Sequence, residues 1–200
     1  MDKRQELCPT LSRVSPVIIY IILILKCIIM PSPDSWYLFI CFFLVIGSNW
    51  IMKRVIVKPL YKLLNKTSIS ILGKGSRPEG AKSCAFTLDN NLSTSYGMPS
   101  GHSQTAWTLA TYIICKIINN FYNNEHNNTT ITIFSYMWLV LSCIIVLCVA
   151  IYISYSRVYI EGCHTIQQVS VGGLIGIGSG FIIYYFENDA VKLLSNLSKI

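Results

Sequence analysis

Three short stretches of this 200-residue chain gather residues able to do chemistry. SYGMPSGHSQT, residues 95–105, sets Pro99, Ser100, Gly101 and His102 at the threshold of an apolar run. GKGSRPEGA, residues 73–81, puts Lys74 and Arg77 in a glycine-punctuated loop. SRVYIEGCHTIQQV, residues 156–169, holds Arg157 and His164 before another apolar run, with Gln168 four residues beyond the histidine. Proline fits a helix start, where no N–H is needed, and serine is a natural N-cap. Glycine lets backbone approach a ligand, and the first N–H groups of a helix bind anions. His102 adds a titratable group at the same point. Taken alone, the tetrad 99–102 fits an anion site with an acid–base residue and a capped helix with an interfacial histidine equally well. The other two stretches decide between them. Two histidines, two arginines and a lysine, without a carboxylate cluster suited to a metal, match a phosphoryl group. The cations clamp its oxygens, one histidine attacks, and the other handles the leaving-group proton.

Such chemistry needs elements that bring the three stretches together, and composition says what kind. Hydrophobic residues make up 52% of the chain and charged residues only 12%, about half the charge of an ordinary soluble domain. Mean hydropathy is +0.51. Five apolar segments stand out: Val14–Met30, Trp36–Val57, His102 to about Phe121, Ile133–Ser154 and Thr165–Phe186. Each approaches the roughly 20 residues that carry a helix across a bilayer. The expectation is an all-α, integral-membrane bundle of about five transmembrane helices, forming a single membrane domain over residues 1–200. The first segment reads as a retained anchor rather than a signal peptide. It has no small-residue cleavage site before Pro31, and Lys26 interrupts it.

The formal net charge of +7 suits phosphate headgroups, and no nucleic-acid motif accompanies it. Basic residues concentrate in the N-terminal tail (Lys3, Arg4, Arg13), in residues 53–101 and at Arg157, so five spans bring all three stretches to one membrane face. The positive-inside rule makes that face cytosolic. Asn127 and Asn128 each open an Asn-x-Thr sequon in the opposite loop. Gly172, Gly176 and Gly180 repeat every fourth residue, a helix face that admits a close neighbour. Packing within one bundle is the preferred reading of that face, and dimerisation the alternative. The eight cysteines read as structural or incidental rather than as a disulfide framework.

The order "RP", then "PSGH", then "SR…H" resembles the type-2 phosphatidic acid phosphatase superfamily over roughly residues 74–180. "GMPSGHSQ" and "CHTIQQVSVGG" are most similar to its dolichyl-diphosphatase-like members. The resemblance implies hydrolysis through a phosphohistidine without metal or other cofactor. His164 would be the nucleophile and His102 the acid. Arg157, Arg77 and Lys74 would hold phosphoryl oxygens, with Ser100 and the Gly101 N–H completing the cradle and Gln168 orienting His164. It further implies a lipid phosphate or isoprenoid diphosphate substrate, and an endoplasmic reticulum or other endomembrane location.

Three departures mark this chain. The family motif has a lysine seven residues before the arginine of "RP"; here that position is Ser70, with Lys74 the nearer substitute and Lys66 the farther. Six residues rather than five separate Arg157 from His164, an excess that Gly162 is placed to absorb as a bulge. Gln168 stands where many members have aspartate. Two other functions fit the same residues: a phosphotransferase passing the group to an alcohol, and a catalytically silent membrane protein that binds lipid or a partner.

Overall fold

A computed structural model describes residues 3–63, 68–69, 73–74, 96–126 and 132–197. Five long helices dominate: α1 (Lys3–Ile29), α2 (Pro33–Ile51), α4 (Gly101–His126), α5 (Ile133–Tyr155) and α6 (Ile166–Leu197). Helix α2 runs on through a π-helical turn, Met52–Val57, into the short α3 (Lys58–Leu63). Two-residue strands β1 (Ser68–Ile69) and β2 (Gly73–Lys74) pair antiparallel, Ser68 opposite Lys74. The all-α expectation holds. The fifth segment is longer than the apolar run, because Glu187, Asp189 and Lys192 extend α6 to Leu197. At 32 residues, α6 reaches about 48 Å, well beyond a hydrocarbon core of about 30 Å.

Four of the five long helices are long and apolar enough to cross a membrane: those within Ser12–Ile29, Pro33–Leu63, Ile133–Ile160 and Ile166–Leu197. The helix outside that set, α4, is polar for a reason. Ser103, Gln104, Thr105, Thr108 and Thr111 are all buried, because α4 is the central helix and turns polar atoms to its neighbours. Apolar side chains instead face outward, among them Phe43, Trp138 and Leu174, each at least 65% exposed. A soluble domain would bury them; a bilayer needs them there.

The glycine stripe explains how α4 is embraced. A Cβ at Gly172 would lie 2.5 Å from the Ser100 carbonyl oxygen, at Gly176 2.4 Å from that of Gln104, and at Gly180 2.7 Å from that of Thr108. No side chain fits at such distances, so α6 rests on the backbone of α4. The stripe is covered within the chain, and the alternative of an oligomer through Gly172, Gly176 and Gly180 is corrected accordingly. At the far end, Glu187 of α6 accepts from the Tyr112 hydroxyl (2.8 Å) and the Lys116 ammonium (3.0 and 3.1 Å) of α4. Leu23, Leu38, Phe42, Tyr112 and Ile183 fill the space among α1, α2, α4 and α6.

Candidate active site

Antiparallel threading sends five chain segments to one end of the bundle. They are the first described side chains of α1, the end of α2, the start of α4, the end of α5 and the start of α6. Ser100 stands where a helix N-cap would, and its carbonyl accepts the Gln104 N–H at 3.0 Å. Its hydroxyl caps nothing: Ser100 Oγ is fully buried and has no hydrogen-bond partner among the described residues. A buried hydroxyl without a partner costs about 1–3 kcal/mol, which a ligand oxygen can relieve. The Ser100 amide donates to the Gln168 carbonyl at 3.0 Å, so the two motifs are joined backbone to backbone.

His164 is buried, and its Nδ1 lies 3.1 Å from Gln168 Oε1. An amide oxygen only accepts, so Nδ1 carries the proton and the lone pair sits on Nε2. Gln168 Oε1 also accepts the Thr165 N–H at 3.3 Å, and the Thr165 hydroxyl accepts the Gln168 N–H at 3.3 Å. Two bonds at its side-chain oxygen, with the backbone bonds to Thr165 Oγ1 and from the Ser100 N–H, thus fix the amide that orients the imidazole.

The extra residue between Arg157 and His164 is taken up locally. Residues Ser156–Ile160 form a π-helical turn, with the Glu161 N–H on the Ser156 carbonyl at 2.8 Å. Gly162 follows at φ +61°, in the left-handed region that glycine adopts without penalty. The Arg157 carbonyl then receives both the Cys163 N–H (3.0 Å) and the His164 N–H (3.2 Å). Gly162 does take part in the bulge, together with the π turn.

That bulge turns Glu161 back onto Arg157. Arg157 Nη1 bonds both carboxylate oxygens, at 2.9 and 2.8 Å, and its side chain is 1% exposed. The same carboxylate accepts from Arg13 Nε (2.8 Å), Ser12 Oγ (2.5 Å) and Ser156 Oγ (3.1 Å). Burial alone raises the Glu161 pKa. Arg157, and then the bonds from Ser12, Arg13 and Ser156, outweigh it and hold the carboxyl below its ordinary value. His102 Nε2 lies 2.9 Å from the carbonyl oxygen of Arg13. It therefore donates there, and Nδ1 is left to carry any transferable proton.

Of the residues the sequence proposes for the site, the structure brings His102, His164, Arg157, Ser100, Gly101 and Gln168 to one end. The side chains of Lys74 and Arg77, the alternatives Lys66 and Ser70, and the Asn127 and Asn128 sequons lie outside the described residues. Three participants were missed. Asn49 of α2 donates from Nδ2 to Gln104 Oε1 (2.8 Å) and to the Pro99 carbonyl (3.3 Å), tying α2 to the loop before α4. Arg13 and Glu161 are the others. Glu161, an acid four residues after Arg157, was the one legible hint. Cys163 also departs from expectation: it is disulfide-bonded, to a cysteine whose side chain is not described. Its sulfur is fully buried, whereas Cys27, Cys41, Cys115, Cys143 and Cys148 are free.

A family model described as the PAP2 superfamily matches residues 34–192. Dolichyldiphosphatase 1 of Homo sapiens is 32% identical over 130 residues, covering 65% of this chain and 43% of the relative. That of Mus musculus is 31% identical over 130 residues, with the same coverage. That of Rhinolophus ferrumequinum is 28% identical over 148 residues, 74% of this chain and 50% of the relative. The chain thus spans about half the length of these curated relatives. No solved structure matches.

Proposed function

Because the chain belongs to the PAP2 superfamily, we propose that it is an integral-membrane lipid phosphatase acting on a polyprenyl diphosphate or related lipid phosphate. The observation that carries this reading is Ser100 Oγ, a buried hydroxyl with no partner among the described residues, beside the first N–H groups of α4. Those N–H groups and that hydroxyl form a cradle for phosphoryl oxygens. The curated relatives bear the name dolichyldiphosphatase, which makes an isoprenoid diphosphate the first substrate to try.

In this mechanism Nε2 of His164 attacks the terminal phosphorus while Gln168 holds Nδ1–H. The P–O bond to the leaving group breaks, and Nδ1 of His102, protonated once the anionic substrate lies beside it, gives its proton to the departing oxygen. Arg157 and Arg77, with Lys74, balance charge on the phosphoryl oxygens. Water then attacks the phosphohistidine and returns a proton to His102. The P–N bond breaks, inorganic phosphate leaves, and His164 is regenerated. Gln168 aligns the imidazole without adding charge, so the developing imidazolium draws less help than a carboxylate would give.

Phosphate release from farnesyl diphosphate by the purified, detergent-solubilised protein, compared with His164→Ala, tests the reading. Release by the wild type alone supports it. Equal release by both, or none by the wild type on farnesyl diphosphate, phosphatidic acid and lysophosphatidic acid, overturns it.

A further inference from the structure

We infer that Arg13 of α1 is a specificity-determining residue that holds the inner phosphate of a lipid diphosphate, the one that departs with the lipid. The inference rests on the hydrolase reading above and adds a side chain that the family match does not reach, since the match begins at residue 34.

Three observations place Arg13 there. Its backbone carbonyl oxygen lies 2.9 Å from Nε2 of His102, the group assigned to the leaving oxygen. Its Nε lies 2.8 Å from Glu161 Oε2, and that same oxygen lies 2.8 Å from Arg157 Nη1. The two guanidiniums therefore flank one carboxylate. Finally, the Arg13 side chain is 25% exposed, against 1% for Arg157 and 0% for Glu161. Nη1 and Nη2 of Arg13 have no partner among the described residues, so they can still receive an anion.

Local sequence makes this stance possible. Pro16 lacks the N–H that would bond the Ser12 carbonyl four residues back, and Ser15 Oγ takes that carbonyl instead at 2.8 Å. Ser12 meanwhile donates to Glu161. The carboxylate aims Arg13 from one side, and the backbone bond to His102 fixes its Cα.

The chemistry then assigns the ligand. When His164 attacks the outer phosphorus of a diphosphate, the bond that breaks joins that phosphorus to the bridging oxygen. The oxygen stays with the inner phosphate and takes the proton from His102. The inner phosphate must therefore lie beside His102, where Arg13 has donors without a partner among the described residues, and a guanidinium grips a phosphate through two N–H groups. A monophosphate has no second phosphoryl group at that position and gains nothing from Arg13.

Two non-hydrolysable probes test this on the full-length protein: farnesyl methylenediphosphonate and farnesyl phosphonate. Arg13→Gln should weaken the diphosphonate about tenfold or more relative to the monophosphonate. Arg13→Lys should restore part of the loss. Ser12→Ala, which loosens Glu161 without changing charge, should keep the preference for two phosphates. The His102 bond uses backbone, so it survives each substitution. Equal weakening of both probes by Arg13→Gln would make Arg13 merely structural, and no change in either would remove it from the site; both outcomes overturn the inference. Arg13-dependent binding without phosphate release from farnesyl diphosphate would support the inference while overturning the hydrolase reading.

Discussion

The Ser100 amide sits 3.0 Å from the Gln168 carbonyl oxygen, and this bond is the seam between the two halves of the site. Gly172, one turn beyond Gln168, is what lets the seam close, since a Cβ there would meet the Ser100 carbonyl oxygen at 2.5 Å. Gly172→Ala must push α6 off α4. It should lower the thermal midpoint in detergent, with a loss on the order of 1–3 kcal/mol typical of overpacking, and reduce phosphate release. Gly178→Ala, where nothing lies within 4 Å, should leave both near wild type. Equal tolerance at the two glycines would mean that the helices do not touch as described.

Glu161 supplies a second test, because its carboxylate stands between Arg157 and Arg13. Removing the charge leaves a buried guanidinium uncompensated, at a cost of about 3–5 kcal/mol. Glu161→Gln should therefore unfold earlier and lose activity. The pH dependence has a definite sign. The folded-state pKa lies below the ordinary 4.5, so the stabilisation is complete above about pH 4.5 and is lost as pH falls through the folded value. Unfolding followed from pH 7 downward should show an acid limb that Glu161→Gln flattens. An unchanged limb would place the acid sensitivity elsewhere.

Metal dependence provides a third check. The Glu161 oxygens already accept from two guanidiniums and two hydroxyls, so this carboxylate has little left to offer a cation. Phosphate release should persist in EDTA and be blocked by vanadate, a mimic of phosphoryl transfer. Activity lost in EDTA and restored by Mg²⁺ would contradict the phosphohistidine route.

The disulfide at Cys163, one residue before His164, bears on which compartment the site faces. Charge counting puts that face in the cytosol, where thiols are kept reduced; a persistent disulfide belongs in an oxidising compartment. The charge count and an oxidised Cys163 therefore predict opposite sides for this face. Because Cys163 is fully buried, membranes alkylated in denaturant should yield modified Cys163 in mass spectra only after reduction. A Cys163 modified without reduction would return the site to the cytosolic side.

Much of this arrangement was legible because it is local in sequence. His164 and Gln168 lie one helical turn apart, so their pairing could be read from spacing. Ser100 and Gly101 announced a helix start, and the four-residue glycine repeat announced a close helix contact. Hydropathy found the spans, though α4 hides its polar face inside the bundle and so falls outside the four apolar candidates. The rest depends on long-range meetings that spacing does not encode. Arg13 and Glu161 are 148 residues apart, and Asn49 and Gln104 are 55 apart. Each looked like an ordinary polar residue near a membrane boundary until the helices were threaded.

The central assignment is that His164 attacks and His102 donates the proton. The most direct measurement is to trap acid-labile, base-stable phosphate on the protein during turnover of an activated aryl phosphate, whose leaving group needs no proton. The wild type and His102→Ala should both carry the label, and His164→Ala should carry none. On a lipid phosphate, His102→Ala should lose its activity, by about 10²-fold or more. Label retained on His164→Ala but absent from His102→Ala would show that the roles are reversed.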